Sequence, residues 1–404
     1  MANILYVVGG RSFTKNNHMR KISEVISVWE RVGVKVYPQF GGDIIRSKEL
    51  KESFGSQNYH DKFYRKSKLF NFLINSLSEF KDILHNERLY KKVKAQFFEK
   101  DLNIVWERSS RLHWAGLKLA QSKNIPFVLE WKDHLIDYNY SLFHWFAKKI
   151  EIYKIKEANY IVVESNVLKN ELITLGVSND KIYVALNAVN PLEFKRNIKE
   201  GISIRNKYNI NKNDVVVGYL GSYAFYHNTE LLIESACKVL KDKKGVTFLL
   251  VGNGKHFKNC KRIANEKGIL NKGLIMIDGV AKKEVPKLLS SMDITVLPGS
   301  TDIICPIKIM EYMASETVVL APNYKCNTEV VIDNINGLIF EPLNSIDLSE
   351  KINDLIANPI KRKKLSKEAK NYVLNNLTWE KTWGKIILDI LEHKKSNISC
   401  KDIH

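Results

Sequence analysis

Two successive series of short β-rich runs, each run followed by a stretch of helical length, restrict this chain to few architectures. The first series is NILYVV, VKVYPQF, NIVWERS, IPFVLEW, NYIVVES and IYVALN, between residues 2 and 190. The second is VVVGYLG, VTFLLVGNG, GLIMIDG, DITVLPG, TVVLAP and GLIFEP. Apolar runs alternating with helices predict parallel sheets covered by helices, so two similar α/β halves are expected. The stretch Asn190 to Asp214 is polar, charged and without strand signal, and is expected as the linker region. The domains then read as 1–195, 196–377 and a tail 378–404, where Trp379, Trp383, Ile386, Ile387 and Ile390 recur at helical spacing as one buried stripe.

A length of 404 residues supports two or three domains. No apolar run approaches the ~20 residues needed to span a bilayer. The opening MANILYVVGG lacks a basic n-region and reads as a buried first strand and not as a signal peptide, which gives a cytoplasmic expectation. Five cysteines without CxxC spacing (Cys237, Cys260, Cys305, Cys326, Cys400) suggest reduced thiols and no metal site. Lys and Arg number 63 against 44 Asp and Glu, a surplus of +19. An anionic partner is implied, and nucleic acid, an anionic membrane surface and phosphorylated substrates all satisfy it.

Open parallel sheets place ligands at the carboxyl ends of their strands, so the cleft between the halves is the default site. Gly9-Gly10, Gly41-Gly42, Gly218 with Gly221, and Gly252 with Gly254 all end strands. None completes a GxGxxG fingerprint, so each alone reads as a tight turn.

The segments GYLGSYAFYHNTELLIESA (Gly218 to Ala236), LLVGNGKH, DITVLPGS, CPIKIMEYMASETVVLAPN (Cys305 to Asn323) and NGLIFEP carry a resemblance. Together they resemble the retaining glycosyltransferases of the GT-B fold, family 4, also called glycosyl transferases group 1. Collinear matches in NIVWERSSRLHWAGLKLAQSKNIPFVLEW and NYIVVESNVLKNELITLGVSNDKIYVALNAVN extend it over nearly the whole chain. The implied fold is two Rossmann-like parallel-sheet domains facing a central cleft, with the C-terminal helix packing back on the N-terminal domain. The pattern departs in places. Glu311 fits the second carboxylate of the family's Glu-x7-Glu pair, whereas Ile303 stands at the first, with Asp302 beside it. Cys305 replaces a frequent serine, Glu316 a usual glycine, and Ser222 and His227 an arginine and a lysine that often hold the donor diphosphate.

Pro306 is expected at the first helical position, where its missing N–H costs nothing, so the segment from Ile307 to Ser315 should begin at Cys305 and Pro306, and the free amides of that helix start form a site for a diphosphate to which Lys308 adds charge. Lys308 and Glu311 share a helix face, and on pattern alone they equally suit a solvated ion pair. The resemblance implies that Glu311 accepts hydrogen bonds from the ribose hydroxyls. It also implies donor contacts from Gly221, Ser222, His227, Gly252, Asn253, Gly254, Cys305, Pro306 and Ile307. In the N-terminal half Gly10, Arg11, Glu107, Arg108, Glu130, Lys132 and Asp133 end strands and are expected to face the acceptor, with His134 near the transferred sugar. Retaining transfer passes through an oxocarbenium-like state, and the chief demand is to stabilise charge on the departing diphosphate. No resident cofactor and no metal are expected; the donor is a UDP- or GDP-type sugar nucleotide, and the acceptor a glycan or lipid-linked glycan in bacterial surface polysaccharide synthesis.

From His60 to Lys100 ten Lys or Arg face five acids, and Phe63, Phe70, Leu73, Leu77, Phe80, Leu84, Leu89 and Val93 recur at helical spacing. Amphipathic helices with cationic polar faces are expected there, suited to an anionic membrane at the inner face of the plasma membrane. Packing of that apolar stripe inside the N-terminal domain is the alternative. Two rival functions are a GT-B-fold epimerase, which needs no acceptor, and a nucleic-acid-binding module, for which no RRM, KH or helix-turn-helix signature is present.

Overall fold

A strand with helices on both sides has no wet face, so every side chain along it must be apolar; Ile4 to Val8 meet this condition and are all buried. In this computed structural model, which describes residues 1–14, 17–45, 68–132 and 141–399, the first eight strands are β1 (Ala2–Val8), β2 (Ser12–Thr14), β3 (Val34–Phe40), β4 (Asp43–Ile45), β5 (Ile104–Arg108), β6 (Phe127–Glu130), β7 (Tyr160–Val163) and β8 (Ile182–Val184). Six of them form one parallel sheet in the order β3-β1-β5-β6-β7-β8, while β2 and β4 form a separate parallel pair. The two short strands carry no alternation long enough to be read from sequence.

The second sheet repeats the plan with β9 (Val215–Leu220), β10 (Val246–Gly252), β11 (Leu274–Asp278), β12 (Ile294–Val296), β13 (Val318–Pro322) and β14 (Leu338–Phe340). Their order, β11-β10-β9-β12-β13-β14, puts β9 and β12 side by side at the point where the strand order reverses. Loops leaving β9 and β12 diverge there, which is where an open sheet leaves room for a ligand.

The chain divides into two compact units, Met1–Ala185 with Trp383–His404, and Leu186–Thr382. The boundary falls before the expected residue 195 because Val189 and Phe194 already belong to the second core, and Val189 N donates to Leu377 O at 3.1 Å. The tail divides too, with Thr378–Thr382 in the second unit and Trp383 onward in the first. A π-helical turn, Glu380–Gly384, leads into the helix Lys385–Ser399, and Trp379, Trp383, Ile386, Ile387 and Ile390 are all buried as their spacing predicts. Trp29 Nε1 donates to Trp383 O at 3.1 Å, so the returning chain closes the first core.

The expected linker holds an element of its own, the helix Ile198–Lys207. Asn197 caps it by accepting from the amides of Lys199 and Glu200, and Arg205 pairs with Asp293 at 2.8 Å. Only Gly201 and Ile204 are buried, so the segment's composition looks like linker although a Cβ on Gly201 would lie 2.4 Å from Ser290 O. Glycine lets this helix touch the next backbone directly.

Candidate active site

The donor-side residues converge at the carboxyl end of the second sheet. Past β9 the chain turns at Gly221, β10 ends at Gly252, and past β12 the chain turns at Gly299. A Cβ on Gly252 would lie 1.7 Å from Gly221 O at φ +147°, and one on Gly254 would meet the Tyr223 backbone at 2.9 Å with φ +144°. The β9 and β10 loops therefore pack backbone to backbone. Tyr223 N donates to Asn253 O at 2.8 Å and Gly221 N to Val251 O at 3.0 Å. Ser222 and Asn253 are exposed at this edge.

Into this rim projects Lys308, from the helix Ile307–Ala314. Its Nζ lies 3.2 Å from His227 Nε2, 3.5 Å from Tyr219 OH and 5.1 Å from the centre of the Tyr219 ring. A Cβ at Gly221 would sit 2.4 Å from the same nitrogen, so the ammonium holds its place only beside a glycine. Burial lowers the Lys308 pKa to about 7 against the opposing pull of Glu311. His227 is buried, and its Nδ1 donates to Gly299 O at 3.2 Å, leaving Nε2 to accept from the ammonium. Burial first, then Lys308, lowers its pKa to about 4. The imidazole is neutral and aims the lysine, where the sequence left open a neutral or a cationic role.

Pro306 is the N-cap and not the first helical residue: ψ is 138°, and its carbonyl accepts from Ile309 N at 3.0 Å. No side chain caps this helix, so its opening amides at Ile307 and Lys308 stand at the rim. Glu311, one turn on, is 7 % exposed among Met310, Tyr312 and Met313, which is not the environment of a solvated surface pair. The Cys305 side chain turns into the core, and burial pushes its thiol well up. Its carbonyl accepts from Asn187 Nδ2 at 3.0 Å. Glu316, at the family's glycine position, has φ +57°, the conformation glycine favours; Lys370 pairs with its carboxylate at 2.8 Å and Arg196 donates to its carbonyl at 2.9 Å.

Three participants escaped the sequence reading. Tyr219 flanks Lys308 and donates to Ser222 O at 2.6 Å. Gly299 orients His227, and Tyr312 OH bridges the Leu220 backbone, donating to its carbonyl at 2.8 Å and accepting from its amide at 3.0 Å. The Pro-Gly turn in DITVLPGS was the available signal for Gly299; the tyrosines read as strand and helix core.

The first unit gathers its polar strand ends differently from expectation. Glu130 is fully buried and accepts from Tyr6 OH at 2.7 Å, from Trp106 Nε1 at 3.1 Å and from Arg108. Glu107 is buried and accepts from Gly116 N at 2.7 Å, and burial raises its pKa to about 7. These three side chains are turned into their own unit, because charges taken from water must be paired with donors or neutralised. Arg11 bonds Asp82 at 2.6 Å and Ser78 at 2.7 Å. Gly10 sits at φ +115° beside Gly41, and Lys132 is partly buried after β6. Asp133 and His134 lie outside the described residues.

Two parallel six-stranded sheets in separate units, with Lys308 at the switch point of the second, are the GT-B arrangement. The model for glycosyl transferases group 1 matches residues 202–372, and that for glycosyltransferase family 4 matches residues 56–192. The chain belongs to this group 1, family 4 glycosyltransferase family. It is 24% identical over 247 residues to the uncharacterized glycosyltransferase MJ1069 of Methanocaldococcus jannaschii, covering 61% of this chain and 62%, less than two thirds, of that relative. Anabaena Alr3699/HepE, solved in complex with UDP, is similar with a TM-score of 0.75 at 16% identity, over 97% of this chain and 100% of that one. A glycosyltransferase from Rickettsia africae gives a TM-score of 0.72 at 20% identity, over 97% and 98%.

Proposed function

We propose that this chain transfers a sugar, with retention of anomeric configuration, from a UDP- or GDP-type donor to a glycan or lipid-linked glycan in bacterial surface polysaccharide synthesis, at the inner face of the plasma membrane. The observation that carries the reading is the Lys308 ammonium, 3.2 Å from His227 and backed by Tyr219 at the rim of β9. A UDP complex of the structurally similar Anabaena protein supports the nucleotide class. When the glycosidic bond breaks, the departing diphosphate gains negative charge. The opening amides of the helix Ile307–Ala314 and Lys308 meet that charge without reorganising solvent, worth roughly 3 to 4 kcal/mol for one well-aimed donor. The acceptor hydroxyl attacks from the face the leaving group vacates and passes its proton to the departing phosphate. Glu311 holds the ribose, and neither an enzymic nucleophile nor a metal is part of this reading.

Calorimetry with UDP and GDP tests it. Wild type is expected to bind one of them, and Glu311→Ala to weaken that binding by about tenfold or more, the loss of a charged hydrogen-bond acceptor. Unchanged affinity in the variant overturns the site assignment. A thermal-shift panel of UDP-, GDP-, ADP- and CMP-sugars identifies the base, since a ligand stabilises only the folded state it contacts.

A further inference from the structure

The long helix Lys68–Phe97 is built inside out along its first half. Its second half is conventional: Leu89, Val93 and Phe97 are buried in the first unit. On the same inward face, nearer the start of the helix, stand Ser76, Glu79 and Asn86, also buried. Each has a partner, since Ser76 Oγ accepts from Leu142 N at 2.9 Å, Glu79 from Arg111 Nε at 2.6 Å and from Ser141, and Asn86 Oδ1 from Trp114 N at 2.8 Å. These bonds and the Leu89, Val93 and Phe97 contacts fix the helix rotation. Leu73, Ile74, Leu77, Phe80 and Leu84 are left outside, with Leu73 54 % and Leu77 56 % exposed. A soluble helix would turn such residues inward.

A neighbouring segment enlarges the apolar face. Phe143 stacks on Phe80 with ring centres 6.2 Å apart, and Leu142 and Trp145 beside it are 58 % and 53 % exposed. Charge then selects the occupant. Along the same stripe stand Lys81, Arg88 two turns on, and Lys91 and Lys92 three and four residues beyond Arg88, all exposed. The helix's acids in this region are turned aside: Glu79 pairs with Arg111, Asp82 with Arg11, and Glu87 with Lys118. An apolar stripe with a tryptophan at its edge that runs into a cationic one fits a surface with anionic headgroups above acyl chains. Among the described residues no helix is long and apolar enough to cross a membrane. We infer that the outward stripe Leu73–Lys92, with Leu142 and Trp145, is an in-plane docking face for an anionic phospholipid bilayer. This deepens the membrane-face part of the function proposed above and rests on it only for the identity of the acceptor.

Flotation of the full-length chain with vesicles, in the absence of nucleotide, tests the face independently of the transfer reaction. The chain is expected to float with vesicles containing phosphatidylglycerol and to partition at least about tenfold less onto pure phosphatidylcholine. Leu73→Gln with Leu77→Gln removes exposed side chains only and is expected to lower partitioning by about tenfold or more while leaving UDP affinity and the melting temperature unchanged. The triple variant Arg88→Gln, Lys91→Gln, Lys92→Gln is expected to abolish the preference for the anionic vesicle and its salt dependence. Failure of the wild type to float overturns the inference, as does undiminished flotation of the leucine variant. A dimer that becomes monomeric in the leucine variant, with vesicle binding unchanged, overturns it in favour of a second copy as the occupant. Retained UDP binding in any of these cases leaves the transferase reading intact.

Discussion

At the scale of single residues, two glycines one loop apart have opposite tolerances. Gly252 faces a carbonyl: a Cβ there meets Gly221 O at 1.7 Å with φ +147°, and a backbone atom cannot yield. Gly252→Ala is expected to cost about 2 to 4 kcal/mol in urea denaturation, the range for strain at a special backbone site. At Gly221 the obstacle is Lys308 Nζ at 2.4 Å, the end of a flexible side chain. Gly221→Ala should leave stability within about 1 kcal/mol yet displace the ammonium and weaken UDP binding by about tenfold. The lysine itself sets a pH dependence. Its pKa is lowered to about 7 in the free protein, and a bound diphosphate favours the charged form, so binding takes up a proton above that pH. Calorimetry from pH 7 to 9 should show UDP affinity falling by up to about tenfold per unit, and Lys308→Met should flatten the profile while weakening binding throughout. His227, neutral down to about pH 4, adds nothing in that window.

At the scale of elements, the tail shows how a short returning segment completes a core. Trp383 is fully buried, 6.4 Å from the Trp106 ring and 4.4 Å beneath Lys21 Nζ, which in turn pairs with Glu164 at 2.6 Å. Trp383→Ala should therefore cost about 3 to 5 kcal/mol in chemical denaturation, the ordinary price of emptying a large aromatic site. A cost below about 1 kcal/mol would show that the helix Lys385–Ser399 docks without this anchor. The spacing of the tail announced the buried stripe correctly, because helical periodicity is local. The helix Ile198–Lys207 escaped notice for the converse reason: it is attached through Gly201, Ile204 and Arg205, and one buried isoleucine produces no apolar period.

At the scale of the whole molecule, the tryptophans are unequally divided. Trp29, Trp106, Trp114, Trp131, Trp145 and Trp383 belong to the first unit, and Trp379 alone to the second. Tryptophan emission thus follows mainly the first unit, whereas circular dichroism follows both. UDP at a hundredfold excess over its Kd stabilises what it contacts by about 2.7 kcal/mol. With UDP bound to the second unit, the dichroism melt is expected to shift upward by at least about 2 °C while the emission melt stays in place. Equal shifts would mean that the two units unfold as one cooperative body.

What the sequence determined by itself was whatever local periodicity and local chemistry encode. The alternation marked every strand of both main sheets, and the block from Cys305 to Asn323 placed Lys308 and Glu311 one turn apart on one helix. Tertiary structure alone decided which groups those residues meet. His227 is aimed by Gly299, 72 positions away in the chain, and no spacing rule reaches that far. Glu107, Arg108 and Glu130 end strands as read, yet their burial depends on Tyr6, Trp106 and Gly116. The helix Lys68–Phe97 presents Leu73, Leu77 and Leu84 outward because bonds to Ser141, Leu142, Arg111 and Trp114 set its rotation. A helical pattern fixes which residues share a face; the partners across the fold fix which way that face points.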